Sequence, residues 1–152
     1  MKLDAIDRKI LNQLQRNARI SNVELAKRVN LSPSPCLERV KRLEQNEVIQ
    51  GYHAVLTPAK VNAALLVFVE VTLDRTTNSV FEVFARQMKS IPEVLECHMV
   101  AGGFDYLLKL RFANMQRYRN FLGHQLASLP GISQTSTFMV MEEVKVSQVI
   151  DL

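Results

Sequence analysis

The sequence predicts an α+β fold in two parts: three short helices, then a unit of order β-α-β-β-α-β. Two patterns within the 152 residues predict it. Apolar residues recur at helical spacing up to about Asn46, and from Val48 onward strand alternation and helical stripes take turns. A third observation separates the parts by charge. Residues 1–60 hold 11 Lys and Arg against 6 Asp and Glu, a net +5, whereas residues 61–152 sum to −1 of the chain's +4. A positive excess confined to the first part points to a polyanionic partner for that part alone, although a solvated basic face gives the same signal.

The helical elements follow in order. Asp4 is placed to cap a first helix whose stripe is Ile6, Ile10, Leu11 and Leu14. Ser21 with Glu24 three residues on has the form of a capping box, and Leu25, Ala26 and Val29 follow as its buried side. Asn30-Leu31 ends that helix. Ser32 then caps a third, with Pro33 at its first position, where a missing N–H costs nothing, and with Leu37, Val40 and Leu43 inward.

Beyond these, residues 49–56 read as a strand ended by Thr57-Pro58. The domains are expected at 1–56 and 63–152, joined by a linker at 57–62. In residues 65–73, Val67, Val69 and Val71 share one face and Phe68 the other. A helix over residues 80–88 precedes Pro92. Strands over 94–101 and 104–112 flank Gly102-Gly103, read as a two-residue turn. Met115, Tyr118, Leu122, Leu126 and Leu129 form a helical stripe ended by Pro130-Gly131, and residues 132–146 are a final extended run. This order is the ferredoxin-like pattern. Its sheet is covered by helices on one side, so an exposed apolar face is expected on the other.

Several classes are set aside. No run of eighteen apolar residues exists, so no membrane span is expected, and Met1-Lys2-Leu3-Asp4 does not begin a signal peptide. Cys36 and Cys97 are far apart and make no disulfide scaffold, so a cytoplasmic protein with reduced thiols is expected. Cys97-His98 point to opposite faces of a strand and make no metal pair; His53 and His124 are isolated. Glu142-Glu143 are separated in the same way and have no nucleophile beside them, so no enzyme is expected. Cys36, at a helix start, reads as a small packing residue rather than a redox sensor.

The first part has the order of a helix-turn-helix, whose second helix enters the major groove of double-stranded DNA by its N-terminal end. That helix starts at Ser32-Pro33-Ser34-Pro35-Cys36, small enough for close approach. Ser32 and Ser34 hydroxyls suit phosphates or base edges. Arg39 is the candidate base reader, its fork matching guanine, while Lys41, Arg42, Lys27 and Arg28 suit phosphates. Ser21 and Asn22 sit at a helix N-terminus, a natural phosphate contact. A stand-alone binding or assembly module with a polar helical surface is the competing reading.

Residues Ile20-Ser21-Asn22-Val23-Glu24-Leu25 and Leu31-Ser32-Pro33-Ser34-Pro35-Cys36-Leu37-Glu38-Arg39-Val40 resemble the Lrp/AsnC family of transcription regulators. So do Glu96-Cys97-His98, Gly102-Gly103-Phe104-Asp105-Tyr106-Leu107-Leu108-Lys109 and Val140-Met141-Glu142-Glu143-Val144-Lys145, which carry the resemblance over essentially the whole chain. It implies a winged-type helix-turn-helix tethered to a ferredoxin-like effector domain, the regulation of amino acid metabolism (RAM) domain. It also implies homodimers that assemble further, commonly to octamers, and a free amino acid bound between subunits.

The residues offer chemistry for such an effector. Gly102-Gly103 can present backbone N–H groups to a carboxylate, and Asp105 can hold an ammonium. Met99, Met115, Phe138, Met139 and Val140 offer an adaptable apolar wall suited to leucine or methionine. A hairpin turn and core methionines are the plainer readings of the same residues. By its motif the resemblance places the effector at Val100, Ala101, Gly102, Gly103, Asp105 and Tyr106, with Met99, Met115, Phe138 and Val140 around them. Gly103 stands where family members usually carry an acidic, asparagine or similar residue. No cofactor is implied.

Overall fold

A computed structural model of the chain describes residues 2–75 and 77–152. Helix α1 spans Ala5–Arg16. Its N-terminus is closed reciprocally: Asp7 N–H donates to Asp4 Oδ1 at 2.8 Å, and Asp4 N–H donates to Asp7 Oδ2 at 3.2 Å. Helix α2 spans Asn22–Arg28, and Ser21 Oγ accepts the Glu24 N–H at 3.2 Å. Only half of the expected capping box forms there, because the Glu24 carboxylate turns forward to Arg28, 2.9 Å away on the next turn. Asn30 then takes a left-handed φ of 57°, which reverses the chain.

Helix α3 spans Pro33–Gln45, with proline in its first turn as expected and no side-chain bond from Ser32 to its open N–H groups. Ile10, Leu11, Leu14, Leu25, Ala26, Val29, Cys36 and Leu43 make one buried cluster, with Val40 and Ile49 packed against it. Leu37 departs from the expectation. It is 42% exposed, because Cys36, Val40 and Leu43 define the inward line and Leu37 lies about 100° round the helix from Cys36.

Residues 49–56 form no strand. Their composition suits a pleated strand, but no ladder forms there among the described residues, and Tyr52, Val55 and Leu56 stay exposed. A 3-10 turn, Pro58–Val61, ends on Asn62 in the left-handed conformation.

Among the described residues the second unit is a four-stranded antiparallel sheet of order β2-β3-β1-β4. The strands are β1 (Leu65–Leu73), β2 (Val94–Met99), β3 (Tyr106–Phe112) and β4 (Ile132–Met139). Helix α4 (Asn78–Ser90) links β1 to β2, and α5 (Met115–Phe121) with a π-helical turn (Leu122–Leu126) links β3 to β4. Alternation decides the faces. Val67, Val69, Val71 and Leu73 of β1 and Tyr106, Leu108, Leu110 and Phe112 of β3 pack with Phe84, Met88, Tyr118, Phe121 and Leu126 from the helices. The opposite face is mixed rather than apolar: Phe68, Leu107 and Phe138 stand among Glu70, Lys109 and Arg111.

The strands are shorter than the sequence suggests. β2 stops at Met99 and β3 begins at Tyr106, so residues 100–105 connect them in place of a two-residue turn, with Val100 N–H donating to Asp105 O at 2.9 Å. β4 stops at Met139, after which Val140 N–H still reaches Leu66 O at 3.1 Å. The chain divides into two compact units, residues 1–55 with 145–152, and residues 56–144. The final residues, read from the sequence as part of the effector region, thus return to the helical unit. There the Gln15 amide clasps the backbone of Ile150, accepting its N–H at 2.7 Å and donating to its carbonyl at 2.9 Å.

Candidate nucleic-acid interface and ligand site

In the helical unit the candidate DNA residues fall into two groups. Ser21, Lys27, Ser32, Ser34 and Lys41 are exposed. The others are engaged within the protein. Asn22 Nδ2 donates to Pro33 O at 2.8 Å, which fixes the start of α2 against the start of α3. Arg28 is held by Glu24 at 2.9 Å and by Gln13 Oε1 at 3.1 Å.

Arg39, the candidate base reader, is engaged within the helical unit. Its Nη1 donates to Asp4 Oδ2 at 2.6 Å and to Asp7 Oδ1 at 2.8 Å, and the Asp7 carboxylate also receives Arg42 Nη2 at 2.9 Å. Asp7 is only 1% exposed, so these arginines neutralise a buried charge and pin α3 to α1. Two N–H donors, from the Asp7 backbone first and the Arg39 guanidinium next, hold the Asp4 carboxyl below its ordinary value. Arg42 serves the same cluster, although about half its side chain remains exposed.

What α3 leaves outward is Ser34, Leu37, Glu38 and Lys41, spaced as one helical stripe. Leu37 and Glu38 belong to that face although the sequence reading gave neither a DNA role. The signal was available: an apolar residue one step off the Cys36–Val40–Leu43 line cannot share its burial. Cys36 is wholly buried, and burial raises its thiol pKa, as suits packing.

In the sheet unit, Asp105 closes the 100–105 connection. Its Oδ2 accepts the Leu73 N–H at 2.7 Å and its own N–H donates to Val71 O at 3.0 Å. Neither Gly102 nor Gly103 uses the left-handed conformation reserved to glycine, and a Cβ at either would meet only open space. What they contribute within one copy is room beside the main chain. Val100 is half-buried and Ala101 exposed. A cavity of about 410 Å³ lies beside this connection, lined by Met88 and Lys89 of α4, Leu95, Cys97 and Met99 of β2, and Tyr106.

Tyr106 is a wall of that cavity rather than a free polar group: its ring packs on Phe84 at 4.6 Å and its hydroxyl donates to Phe81 O at 3.4 Å. Cys97 faces the cavity, whereas His98 lies on the other face, 3.1 Å from Glu96, so the two make no ligand pair. The remaining apolar candidates are elsewhere. Val71 pairs with Tyr106 at the turn end of the sheet, and Leu65 pairs with Phe112 at the far end. Val140 sits toward that far end, its N–H bonded to Leu66 O, and Met115 follows Phe112 there, whereas Phe138 pairs with Phe68 at mid-strand on β4, the edge opposite β2. Within one copy they cannot join Met99 and Tyr106.

Known proteins match both units. A family model described as winged helix-turn-helix DNA-binding covers residues 3–50, and one described as the Lrp/AsnC ligand binding domain covers residues 66–150. The chain belongs to the Lrp/AsnC family. It is 58% identical over 145 residues to the leucine-responsive regulatory proteins of Escherichia coli (strain K12) and Klebsiella pneumoniae, covering 95% of this chain and 88% of theirs. A Neisseria meningitidis transcriptional regulator solved as an L-Met complex superposes with a TM-score of 0.92 at 40% identity, over 98% of this chain and 96% of that one. An AsnC family regulator from Agrobacterium tumefaciens gives 0.92 at 32%, over 97% and 96%. As a member of the Lrp/AsnC family the protein is a transcription regulator with a DNA-binding helix-turn-helix and a ligand-binding domain, in a family of regulators rather than enzymes. Among the described residues no helix is long and apolar enough to cross a membrane.

Proposed function

We propose that this regulator responds to a free amino acid, leucine or methionine, bound between subunits of a homo-oligomer built from dimers up to an octamer, in the cytoplasm. One observation carries the reading. Met99, Asp105 and Tyr106 lie at one end of the sheet, Met115 and Val140 lie toward the other, and Phe138 lies at mid-strand on the edge opposite Met99. The run of β3 from Tyr106 to Phe112, beyond which Met115 follows, is about 20 Å at roughly 3.3 Å per residue, several times the length of an amino acid. One ligand touches both sets only where the 100–105 connection of one copy meets the far end of another. The cavity beside Met99 and Tyr106 offers an apolar slot for the side chain, Asp105 keeps one carboxylate oxygen for an ammonium, and the main chain at Val100, Ala101, Gly102 and Gly103 faces the carboxylate. The name of the Escherichia coli relative points to leucine, and the Neisseria meningitidis complex holds L-Met.

On the DNA side, Ser21, Lys27, Ser32 and Lys41 hold the phosphate backbone, with Asn22 and Arg28 supporting the turn, and Ser34, Leu37 and Glu38 face the bases. Arg39 and Arg42 act from behind, by fixing α3 on α1. The domains 1–56 and 63–152, with the linker 57–62, divide these tasks. The experiment is a thermal-shift titration of the full chain with each of the twenty amino acids, followed by calorimetry and sizing of those that stabilise it. Saturable stabilisation by leucine or methionine is expected, with less than one ligand bound if only assembled copies are competent. Stabilisation by neither overturns the reading.

A further inference from the structure

The chain passes between its two units twice, after Val55 and after Val144. In the ligand-binding unit, both passages end on a single side chain. Arg111, near the end of β3, donates from Nη2 to both carboxylate oxygens of Glu143, at 2.7 and 2.8 Å, and from Nη1 to Ala63 O at 3.4 Å. Ala63 is where the first connection enters the sheet, and Glu143 is the last anchored residue before the second connection leaves it. The Arg111 side chain is 15% exposed, and its charge-assisted contacts divide between Nη2, which meets both Glu143 oxygens, and Nη1, which reaches Ala63. Beyond Glu143 the chain runs to the Gln15 clasp on α1.

β3 has the proposed effector connection at its other end: Tyr106 begins the strand and Asp105 precedes it. Phe138 and Val140, the proposed contacts for a neighbouring copy, lie a few residues before Glu143. An effector that orders either place acts on a rigid strand, or on a short segment, that terminates at the Arg111 clamp.

We propose that Arg111 is a positioning residue for regulation. It joins the two chain passages into one element, through which amino-acid binding changes DNA affinity. This rests on the effector reading above. A coupling between two sites is a ratio of affinities, commonly about fivefold or more in either direction. The test uses the full chain, a DNA fragment selected by the unaltered protein, and leucine and methionine as probes. DNA affinity is measured with and without each amino acid for the parent, Arg111→Gln and Glu143→Gln, beside calorimetric binding of the amino acid.

In Arg111→Gln, amino-acid affinity and DNA affinity without effector are expected to stay within about twofold of the parent, while the effector-dependent ratio falls to near one. Glu143→Gln, which keeps a neutral acceptor for the guanidinium, is expected to give an intermediate ratio. A general loss of stability would instead lower the DNA affinity measured without effector. Parent-like ratios in both variants overturn the inference and leave the effector reading standing. Loss of amino-acid binding in folded Arg111→Gln also overturns it, since Arg111 would then belong to the binding site. A parent that binds neither amino acid overturns the effector reading and this inference together.

Discussion

Arg39 Nη1 donates to Asp7 Oδ1 at 2.8 Å, joining two positions that are 32 residues apart in the chain. The Asp7 carboxylate is buried and its partners Arg39 and Arg42 are partly wet, so the acid is the member that cannot be left alone. Asp7→Ala is expected to destabilise the helical unit by about 2–3 kcal/mol, below the value for a fully buried pair because both arginines can rehydrate. Arg39→Ala is expected to cost about 1–2 kcal/mol, since Arg42 still faces Asp7. Denaturant unfolding checks both. For Arg39→Ala, base preference measured where the protein is fully folded is expected to match the parent; a relaxed preference at one base pair would return Arg39 to base reading.

Lys41 is exposed on the outward stripe of α3 and has no ion-pair partner among the described residues. A lysine that neutralises one phosphate releases about one counterion. Lys41→Ala is expected to weaken binding to all DNA sequences alike and to lower the slope of log affinity against log salt by about 1. An unchanged slope would remove Lys41 from the backbone contacts.

The same region shows where sequence reasoning runs out. The helices, their caps at Asp4 and Ser21, and the Pro33 start were legible because they depend on residues within one turn of each other. The faces of β1 were legible because alternation has a period of two. The pairing of Arg39 was not legible because its partners lie at and before another helix, and periodicity does not report tertiary pairing. Residues 49–56 carry strand composition, but a strand needs a neighbour that composition does not supply. Gly102-Gly103 matched a tight-turn signal, whereas the observed connection of residues 100–105 is set by Asp105 reaching back to β1. The candidate effector residues were found as a set of types; that they lie apart on the sheet follows from strand register alone.

The chain has three tyrosines, and all three are expected to resist ionisation. Although the Tyr52 side chain is exposed, partial desolvation of its hydroxyl first, and then the Glu44 carboxylate that accepts its hydrogen bond at 2.9 Å, push it up to about 12. Burial raises Tyr106, with Cys97 and Asp105 adding to it, and raises Tyr118 against the opposing hydrogen bond with Thr137. A group raised in the folded state contributes stability below its unfolded value, near 10 for tyrosine, and that contribution is lost as pH climbs through the folded value. Absorbance titration is therefore expected to show little tyrosinate at pH near 10 and a rise that accompanies unfolding above it. Free titration of one tyrosine near 10, with the fold intact, would contradict the arrangement.

Asp105 has one observed task and one proposed task, which substitution can separate. Its Oδ2 accepts the Leu73 N–H and so ties the 100–105 connection to β1, and its charge is available to an ammonium. Asparagine keeps an acceptor for Leu73 and removes the charge; alanine removes both. Asp105→Asn is expected to unfold within about 1 kcal/mol of the parent yet bind leucine or methionine at least about tenfold more weakly, since hydrogen bonds to charged groups contribute roughly 1.5–3 kcal/mol. Asp105→Ala is expected to lose amino-acid binding and also about 1–2 kcal/mol of stability, because the N–H of buried Leu73 at the end of β1 loses its acceptor. Calorimetry and denaturant unfolding of both variants separate the tasks. Parent-like amino-acid affinity in Asp105→Asn would assign the carboxylate to the turn alone and move the ammonium contact to another residue.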